Sequence, residues 1–550
     1  MNRWIFGCLA TAFTSTSVLA QAPTWGNYNG NAQHTGLSTV PLVEMNQIKW
    51  STPVDLNPQY SGNNLLIHYG SPLATAGNTI IVPVKTGATG GFQVEGRSGY
   101  DGALLWTQST DYQLPPHDWT PSFSPTITPT NSLYYAGEAG TVFTRSNLNQ
   151  PGTVSANRLA FYGNANYTAS SVAERAKVQI NTPITSDTAG NIYFGYQVTS
   201  NATLGSITLP AGGGIARIDS AGNGTFASVS SLAAAAGITD LTLSKIAHNA
   251  APALSNDGST VYVPLTTNAG TGFGSGYLMG INSTTLTAVS NVKLMDVNTT
   301  TNTARLPEAG SASVMVAPDG NVFYGVLENT TQYHSRGWML QYSADLSQTK
   351  IPSRFGWDDT ASIVPSGLVP SYSGPSSYLI MTKYNNYAGL GGDGINKLGL
   401  FDPNVSEADE IYGRQVMKLV MSVTGPTADP EYSDTHPGAV REWCINAAAV
   451  DPFNRAILVN SEDGKSYCWD LVNNILTDSI TLTPGIGEAY TPTIIGPDGT
   501  GYAINNGTLF ALSNVSVPEP SSLVLCFGGV LGLGLYGFHK RKAWRKDMAS

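Results

Sequence analysis

The sequence predicts an all-β fold, a β-propeller of about eight four-stranded blades. Three observations lead to this prediction. Of the 550 residues only 12% are charged and 59 are glycine, which suits short strands and tight turns better than surface helices. A strand–turn–strand pattern recurs along the chain. A spare strand near the N-terminus also matches one that is missing at the end of the last repeat.

The recurring unit opens with a short strand of small residues and proline, passes through an Asp-Gly or Asn turn, and continues into an aromatic-rich strand. Asp-Gly between apolar runs is typical of a hairpin, because glycine accepts the positive φ that tight turns need. Copies begin at Ser71, Ser124, Thr182, Ala251, Ser313, Ala361, Asn446 and Thr491. We therefore expect eight blades. Seven is the alternative if the long stretch 372–422 is misread.

Closure of the ring explains the spare strand. The last copy ends at Leu512 after three strands, one short of a complete blade. Residues 47–54 alternate in the manner of a strand and have no other assignment. Because a propeller must join its first and last blades or leave an open sheet edge, we expect this strand to complete the last blade.

The N-terminus predicts a secretory signal peptide over residues 1–20. Arg3 supplies a positive start, residues 4–12 are apolar, and Val18, Leu19 and Ala20 form the small-residue pattern that signal peptidase cleaves. The alternative is a buried N-terminal strand or helix. Residues 21–514 would then form the propeller.

The C-terminus has three parts in a fixed order. Residues 515–521 are a proline-rich linker, residues 522–538 an apolar run long enough to cross a membrane, and residues 539–550 a basic tail that the positive-inside rule keeps in the cytoplasm. The linker holds Val517, Pro518, Glu519 and Pro520. We expect a precursor anchored in the inner membrane and facing the periplasm. An ordinary anchor behind a proline-rich linker is the alternative.

This order of motif, apolar span and basic end resembles the PEP-CTERM sorting signal of Gram-negative bacteria. The resemblance implies processing by an exosortase near the Pro-Glu-Pro, then transfer to the cell surface or release. Such proteins often occur in bacteria that produce exopolysaccharide. An exopolysaccharide or a surface protein is accordingly the expected partner.

The body also resembles a family, on its opening segment from Trp25 to Gly36 and on the Gly102-Ala103-Leu104-Leu105-Trp106 motif. Both are similar to repeats of the quinoprotein-like (PQQ-binding-like) β-propeller superfamily, over roughly residues 25–514. The resemblance implies the fold. Quinoprotein dehydrogenases use a vicinal disulfide, a catalytic Asp and a Glu/Asn/Asp calcium site, but this chain has no adjacent cysteine pair and no Asp that can be matched. We therefore expect no catalytic residue and no cofactor, PQQ and Ca²⁺ being unsupported.

Two polar and aromatic segments are candidates for ligand binding because each lies just before the first strand of a blade, where loops approach the channel. They contribute His117, Asp118 and Trp119, and Arg441, Glu442 and Trp443. A tryptophan beside such groups suits a sugar or an anion, since the ring stacks on an apolar face and the polar groups fix hydroxyls or carboxylates. The alternative is packing between blades, with the charges solvated at the rim.

Metal binding and a disulfide are both disfavoured. Asp393, in the glycine-rich stretch 389–394, is the single metal candidate, and one carboxylate falls short of the oxygen ligands that Ca²⁺ requires. Cys444 precedes the first strand of its blade and Cys468 lies in the third strand, so we expect both to be free. A strand shift at Cys444 would reverse this expectation.

Charge excludes one class of function. The net charge of -10 gives no basic face for nucleic acid. The leading hypothesis is a non-catalytic surface or biofilm-matrix propeller that binds a glycan or a protein. The alternatives are an enzyme, either PQQ-dependent or acting on polysaccharide, and a purely structural spacer.

Overall fold

The structure is a computed structural model that describes residues 24–514, apart from residues 63, 241, 269, 271, 300, 486 and 488–489. The predicted signal peptide 1–20 and the C-terminal linker, apolar span and basic tail lie outside the described residues. Within the described range, no helix is long and apolar enough to span a bilayer.

Eight antiparallel sheets follow one another along the chain and form the eight blades of a propeller, which confirms the predicted fold and blade count. Blade 1 contains Leu73–Ala74, Thr79–Lys85, Phe92–Ser98 and Leu104–Ser109. Blade 2 contains Thr126–Ile127, Leu133–Ala136, Thr141–Arg145 and Asn157–Ala160. Blade 3 contains Val178–Ile180, Thr185–Ser186, Ile192–Val198, Gly212–Ile218 and Gly224–Ser228. Blade 4 contains Lys245–Ile246, Ala253–Leu254, Thr260–Thr266, Gly276–Asn282 and Ala288–Lys293.

The second half of the ring repeats this plan. Blade 5 contains Met315–Val316, Val322–Val326 and Trp338–Tyr342. Blade 6 contains Ser362–Pro365, Tyr378–Tyr384, Lys397–Ala408 and Gln415–Thr424. Blade 7 contains Ala449–Asp451, Ala456–Asn460, Lys465–Asp470 and Ile475–Thr481. Blade 8 contains Ile494–Ile495, Gly501–Asn505, Thr508–Ser513 and Gln47–Pro53.

Smaller elements decorate the blades. Three two-stranded sheets pair Tyr60–Ser61 with Asn64–Leu65, Ala202–Leu204 with Ile207–Leu209, and Phe273–Gly274 with Leu306–Pro307. The α-helices are Asn164–Ala169, Val172–Arg175 and Val229–Ala235, and the 3₁₀ turns are Glu138–Gly140, Ser366–Leu368 and Ala388–Leu390.

Blade 5 departs from the prediction of four strands. Its sheet has three strands, and isolated bridges from Thr349 to Tyr342 and from Ser353 to Met339 occupy the place of the fourth. The chain between them forms no continuous ladder, so the fourth strand of this blade is replaced by two single bridges.

The ring is closed by the N-terminal strand, as predicted. Gln47–Pro53 pairs antiparallel with Thr508–Ser513, with Ile48 opposite Leu512 and Pro53 opposite Thr508. Trp50 fixes this strand against blade 1 as well, since its indole N–H donates to the carbonyl of Gly99 at 3.2 Å. The early strand therefore joins the last blade to the first.

A segment ahead of that strand closes one end of the central channel. Residues 25–38, which we call the N-terminal plug, bond to the innermost strands of blades 1 to 7. The bridging pairs are Trp25 with Ala74, Gly26 with Ile127, Asn27 with Ser186, Ala32 with Leu254, Gln33 with Val316, Thr35 with Ile363, and Gly36 with Val450. The blade residues lie at or near the last residue of each innermost strand. The plug thus follows the inner rim of the ring at that end.

Candidate functional site

A cavity of about 250 Å³, which we call the channel pocket, lies at the end of the channel opposite the plug. Its position follows from the topology, because most of its lining comes from the entry segments, the residues that precede the innermost strands. The lining residues are His68, Trp119, Ala309, Tyr333, His334, Trp357, Asp358, Lys383, Tyr387, Glu442, Trp443, Cys444 and Tyr490. Six of the eight blades contribute.

One wall of the channel pocket is built from the entry segments of blades 1, 2 and 8. Those of blades 1 and 2 pair through a parallel bridge between Ile67 and Thr120, which brings His68 beside Trp119. The Trp119 ring centroid lies 5.6 Å from that of His68 and 5.4 Å from that of Tyr490. Trp119 is half-buried, so part of its ring remains accessible.

The opposite wall comes from blades 5, 6 and 7. Tyr333 packs against Trp357 with 5.5 Å between ring centroids, and His334 stacks on Tyr387 at 5.4 Å. Asn385 holds Trp443 through two reciprocal bonds of 3.1 Å to its backbone N–H and carbonyl. Two aromatic walls therefore face one cavity.

A buried ion pair lies in this cavity. Lys383 Nζ lies 3.1 Å from Asp358 Oδ2, and the backbone N–H of Lys383 donates to Asp359 at 2.9 Å. Burial alone would lower the pKa of Lys383, yet the carboxyl groups of Asp358 and Asp359 hold it above its ordinary value. Burial raises the pKa of Asp359 well above its ordinary range. The matched pair Lys383 and Asp358 is the charged element of this corner.

Three lining side chains keep buried polar atoms for which the described residues supply no hydrogen-bond partner. These atoms are His68 Nδ1, Trp357 Nε1 and Trp443 Nε1. Burial lowers the pKa of His68, and its Nε2 lies 2.7 Å from the carbonyl of Ala309, which can only accept. The ring is therefore neutral with its proton on Nε2, which leaves Nδ1 as an acceptor. A buried polar atom without a partner is costly, and a bound ligand can supply one.

The six residues predicted for ligand binding separate into two groups. Trp119, Glu442 and Trp443 line the channel pocket together, although they come from blades 2 and 7. The others lie outside the lining and have partners: His117 Nδ1 is 2.6 Å from the Pro115 carbonyl, Asp118 accepts from the N–H of Gly272, and Arg441 pairs with Asp429. Ligand binding by these residues stays a prediction.

Sequence reasoning missed the ion pair and much of the second wall. Trp357 and Asp358 precede the innermost strand of blade 6, the position that singled out Trp119 and Trp443, so the same rule would have found them. Lys383 has no such signal, because it ends the second strand of its blade and meets Asp358 only in the folded ring.

Asp393 and the cysteines behave as simple structural groups. Asp393 accepts from the Asn386 amide at 2.7 Å and from the N–H of Ile395 at 2.8 Å. Within the range that the structure describes, no group of three or more His, Cys, Asp and Glu residues could hold a metal ion. Cys444 and Cys468 are both buried and are not joined by a disulfide, as predicted.

No protein-family model matches this chain, and no curated protein matches it in sequence. Solved structures match it in fold. A europium-containing methanol dehydrogenase gives a TM-score of 0.51 at 10% identity, over 88% of this chain and 89% of that one. A quinohemoprotein alcohol dehydrogenase from Comamonas testosteroni gives 0.54 at 9% identity, over 92% and 82%. At these identities the likeness shows the fold alone, a β-propeller.

These neighbours overturn the prediction that the chain uses no cofactor. Their names describe a metal-containing and a quinohemoprotein dehydrogenase, so quinone and metal cofactors belong to proteins of this fold. The prediction depended on the missing cysteine pair and an unmatched Asp. The missing cysteine pair was weak evidence against a cofactor, because the aromatic walls and the buried Asp358 of the channel pocket are formed without any adjacent cysteines.

PQQ and its metal ion require groups that the described lining of the channel pocket does not supply. PQQ carries three carboxylates, whereas Lys383 is the one Lys or Arg among the described lining residues and is already paired with Asp358. The metal would need several carboxylate or carbonyl oxygens, and the described residues contain no suitable cluster of His, Cys, Asp and Glu. The donor set does not fit this cofactor pair, and we derive no chemical step through it.

Proposed function

We propose that the protein is an exported cell-surface or matrix propeller that binds a neutral sugar of a glycan in the channel pocket. The observation that carries this proposal is the combination of two aromatic walls with hydrogen-bond donors and acceptors in one cavity. Pockets of this kind, mostly aromatic with a few convergent polar groups, are the usual form of small-ligand sites.

The chemistry of a sugar matches both features. Its C–H faces stack on aromatic rings, and its hydroxyls both donate and accept hydrogen bonds. The indole N–H groups of Trp357 and Trp443 can donate to hydroxyl oxygens, while His68 Nδ1 and Asp358 can accept from hydroxyl protons.

Charge favours a neutral ligand over an ionic one. An anion would need a cation that is not already matched, and Lys383 is held by Asp358 at 3.1 Å. The carboxyl group of Glu442 lines the same cavity and disfavours an anion further, while a cation would meet the ammonium group of Lys383. Burying an unmatched charge costs several kcal/mol, so a ligand with hydroxyls only is preferred.

The predicted signal peptide and sorting tail support the location. They would deliver the propeller to the periplasm and then to the surface, where the resemblance to the PEP-CTERM signal implies exopolysaccharide as a partner. Signal peptidase and an exosortase are the processing partners in this proposal.

The experiment uses purified residues 21–514 on an array of neutral, acidic and amino sugars, followed by calorimetric titration of the best binder. We expect neutral sugars to be retained. We expect Trp119→Ala to weaken binding by about ten-fold or more, since a lost ring stack is worth about 1 kcal/mol beyond its area. Phe453→Ala is the matched control, because Phe453 is an exposed aromatic of blade 7 outside the pocket. Absence of any retained sugar, or equal binding by Trp119→Ala, would overturn the proposal.

An enzyme is the second candidate, either quinone-dependent or acting on polysaccharide. The fold likeness to the two dehydrogenases favours the former, whereas the charge and donor set of the channel pocket count against it. Incubation with PQQ plus Ca²⁺ or a lanthanide, followed by absorbance and dye-linked oxidation of alcohols, tests it. Stoichiometric uptake of the quinone with dye reduction would place this candidate first.

A further inference from the structure

We propose that the sugar site continues from the channel pocket into a second cavity, and that the ligand is therefore an oligosaccharide of at least two units. This inference rests on the proposed function. The second cavity, which we call the outer pocket, has a volume of about 150 Å³.

The two cavities are adjacent. Tyr333, His334, Tyr387 and Glu442 line both of them, so the same side chains form their common boundary. Small-ligand sites usually measure about 300 to 1,000 Å³, and the channel pocket with its 250 Å³ falls below that range by itself. Together the two cavities reach it.

The outer pocket is polar where the channel pocket is aromatic. Asn396, Asp429 and Tyr432 are its own polar lining, in addition to the shared Glu442. The carbonyl and amide groups of an Asn and the hydroxyl of a Tyr suit sugar hydroxyls, which both donate and accept. Tyr432 is half-buried and offers a ring face beside these groups.

Two of the four glycines in the stretch 389–394, Gly389 and Gly394, pack against the loop that forms one wall of this cavity. A Cβ on Gly389 would lie 2.8 Å from the Tyr432 hydroxyl, and one on Gly394 would lie 2.8 Å from the Cβ of Ala439. The loop of blade 6 must therefore lack side chains at these points to pack on the loop that carries Tyr432. These two glycines serve the wall of the outer pocket.

Charge also defines the second sugar. The described lining of the outer pocket contains Asp429 and Glu442 and no Lys or Arg. Arg441 lies 3.4 Å from Asp429 and 3.8 Å from Glu462, so it acts as a positioning residue for the acidic wall. Two carboxyl groups repel a uronic acid, so the second unit is a neutral or an amino sugar.

Calorimetric titration of residues 21–514 with the array-selected monosaccharide and its β- and α-linked disaccharides tests the inference. We expect one disaccharide to bind at least ten-fold more tightly than the monosaccharide. Tyr432→Ala should reduce disaccharide affinity to that of the monosaccharide and leave monosaccharide affinity unchanged, whereas Trp119→Ala should weaken both. Tyr100→Ala is the matched control, since Tyr100 is 70% exposed in blade 1.

Equal affinity for both sugars with no effect of Tyr432→Ala would overturn the second subsite while the proposed function stands. Failure of every sugar to bind would overturn both. A thermal melt of each variant checks that the ring is intact.

Discussion

Substitution of Gly36 by alanine should loosen the N-terminal plug from the ring. Gly36 has a φ of +70° and receives the N–H of Val450 on its carbonyl at 2.7 Å. A Cβ here would lie 2.6 Å from the Ala448 carbonyl oxygen and 2.7 Å from the Ser362 hydroxyl. Those two atoms are bonded to each other across blades 6 and 7 at 2.7 Å, so the new methyl group must separate them or displace the plug.

The magnitude has two parts. An alanine in the left-handed region costs about 1–2 kcal/mol. Overpacking against a rigid backbone adds about 1–3 kcal/mol. We therefore expect the free energy of unfolding to fall by about 2–5 kcal/mol.

Gly258→Ala isolates the first part. Gly258 has a φ of +71°, and a Cβ there would meet nothing within 4 Å. This variant should lose about 1–2 kcal/mol, the backbone cost alone. Urea unfolding followed by tryptophan fluorescence measures both variants, and hydrogen exchange at the Val450 amide reports on the plug directly. Equal stability of the two variants would refute the packing described for the plug.

Three further predictions concern buried groups. Glu308→Gln should lower the free energy of unfolding in urea by about 3–5 kcal/mol, because Lys245, which is fully buried and 3.1 Å away, would lose its counter-charge. The double variant Lys245→Met with Glu308→Leu should restore most of this stability. An unchanged urea midpoint in Glu308→Gln would contradict the pairing. Burial lowers the pKa of His34 in the plug from 6.5 to about 4, so the unfolded chain binds the proton first as pH falls. The free energy of unfolding should therefore fall by about 3 kcal/mol as pH drops from 6.5 to 4, and the pH profile of His34→Gln should be flatter. Identical profiles for the two proteins would contradict this prediction. Iodoacetamide should alkylate both Cys444 and Cys468 in denaturant without reductant, which adds two mass increments. In the native state alkylation should be slow, because both thiols are buried and burial raises the pKa of Cys468 to about 12. No mass increment at these two residues after unfolding would indicate a disulfide.

The ring could be predicted because its signals are local and repeated. Asp257-Gly258 and Asp319-Gly320 mark hairpins wherever they occur, and the strand count of the last repeat made the role of residues 47–54 a matter of completing a sheet. The plug could not be predicted in the same way. The segment from Trp25 to Gly36 was identified as a repeat motif, but its contacts are one or two hydrogen bonds to each of seven blades and leave no periodic pattern.

The channel pocket was predictable in part for the same reason. Trp119 and Trp443 stand at equivalent places before innermost strands, so one rule selected both. His117 and Arg441 share those segments, yet they bond to Pro115 and to Asp429, and no local pattern separates them from their neighbours that line the pocket. Lys383 becomes a pocket residue only when the ring places it beside Asp358, a long-range contact that no local pattern encodes.

The pairing of Ile48 with Leu512 also sets the point at which the ring can close during folding. The strand 47–53 cannot pair until the strand 508–513 has been synthesised. Until then the partly folded ring has an unpaired sheet edge at each end. A chain that crosses a membrane as a thread would meet this condition on the far side, once its whole length has arrived. An mRNA truncated before this last strand would give an open, incomplete ring rather than a smaller functional propeller. We therefore expect any such truncation to abolish the function of this protein.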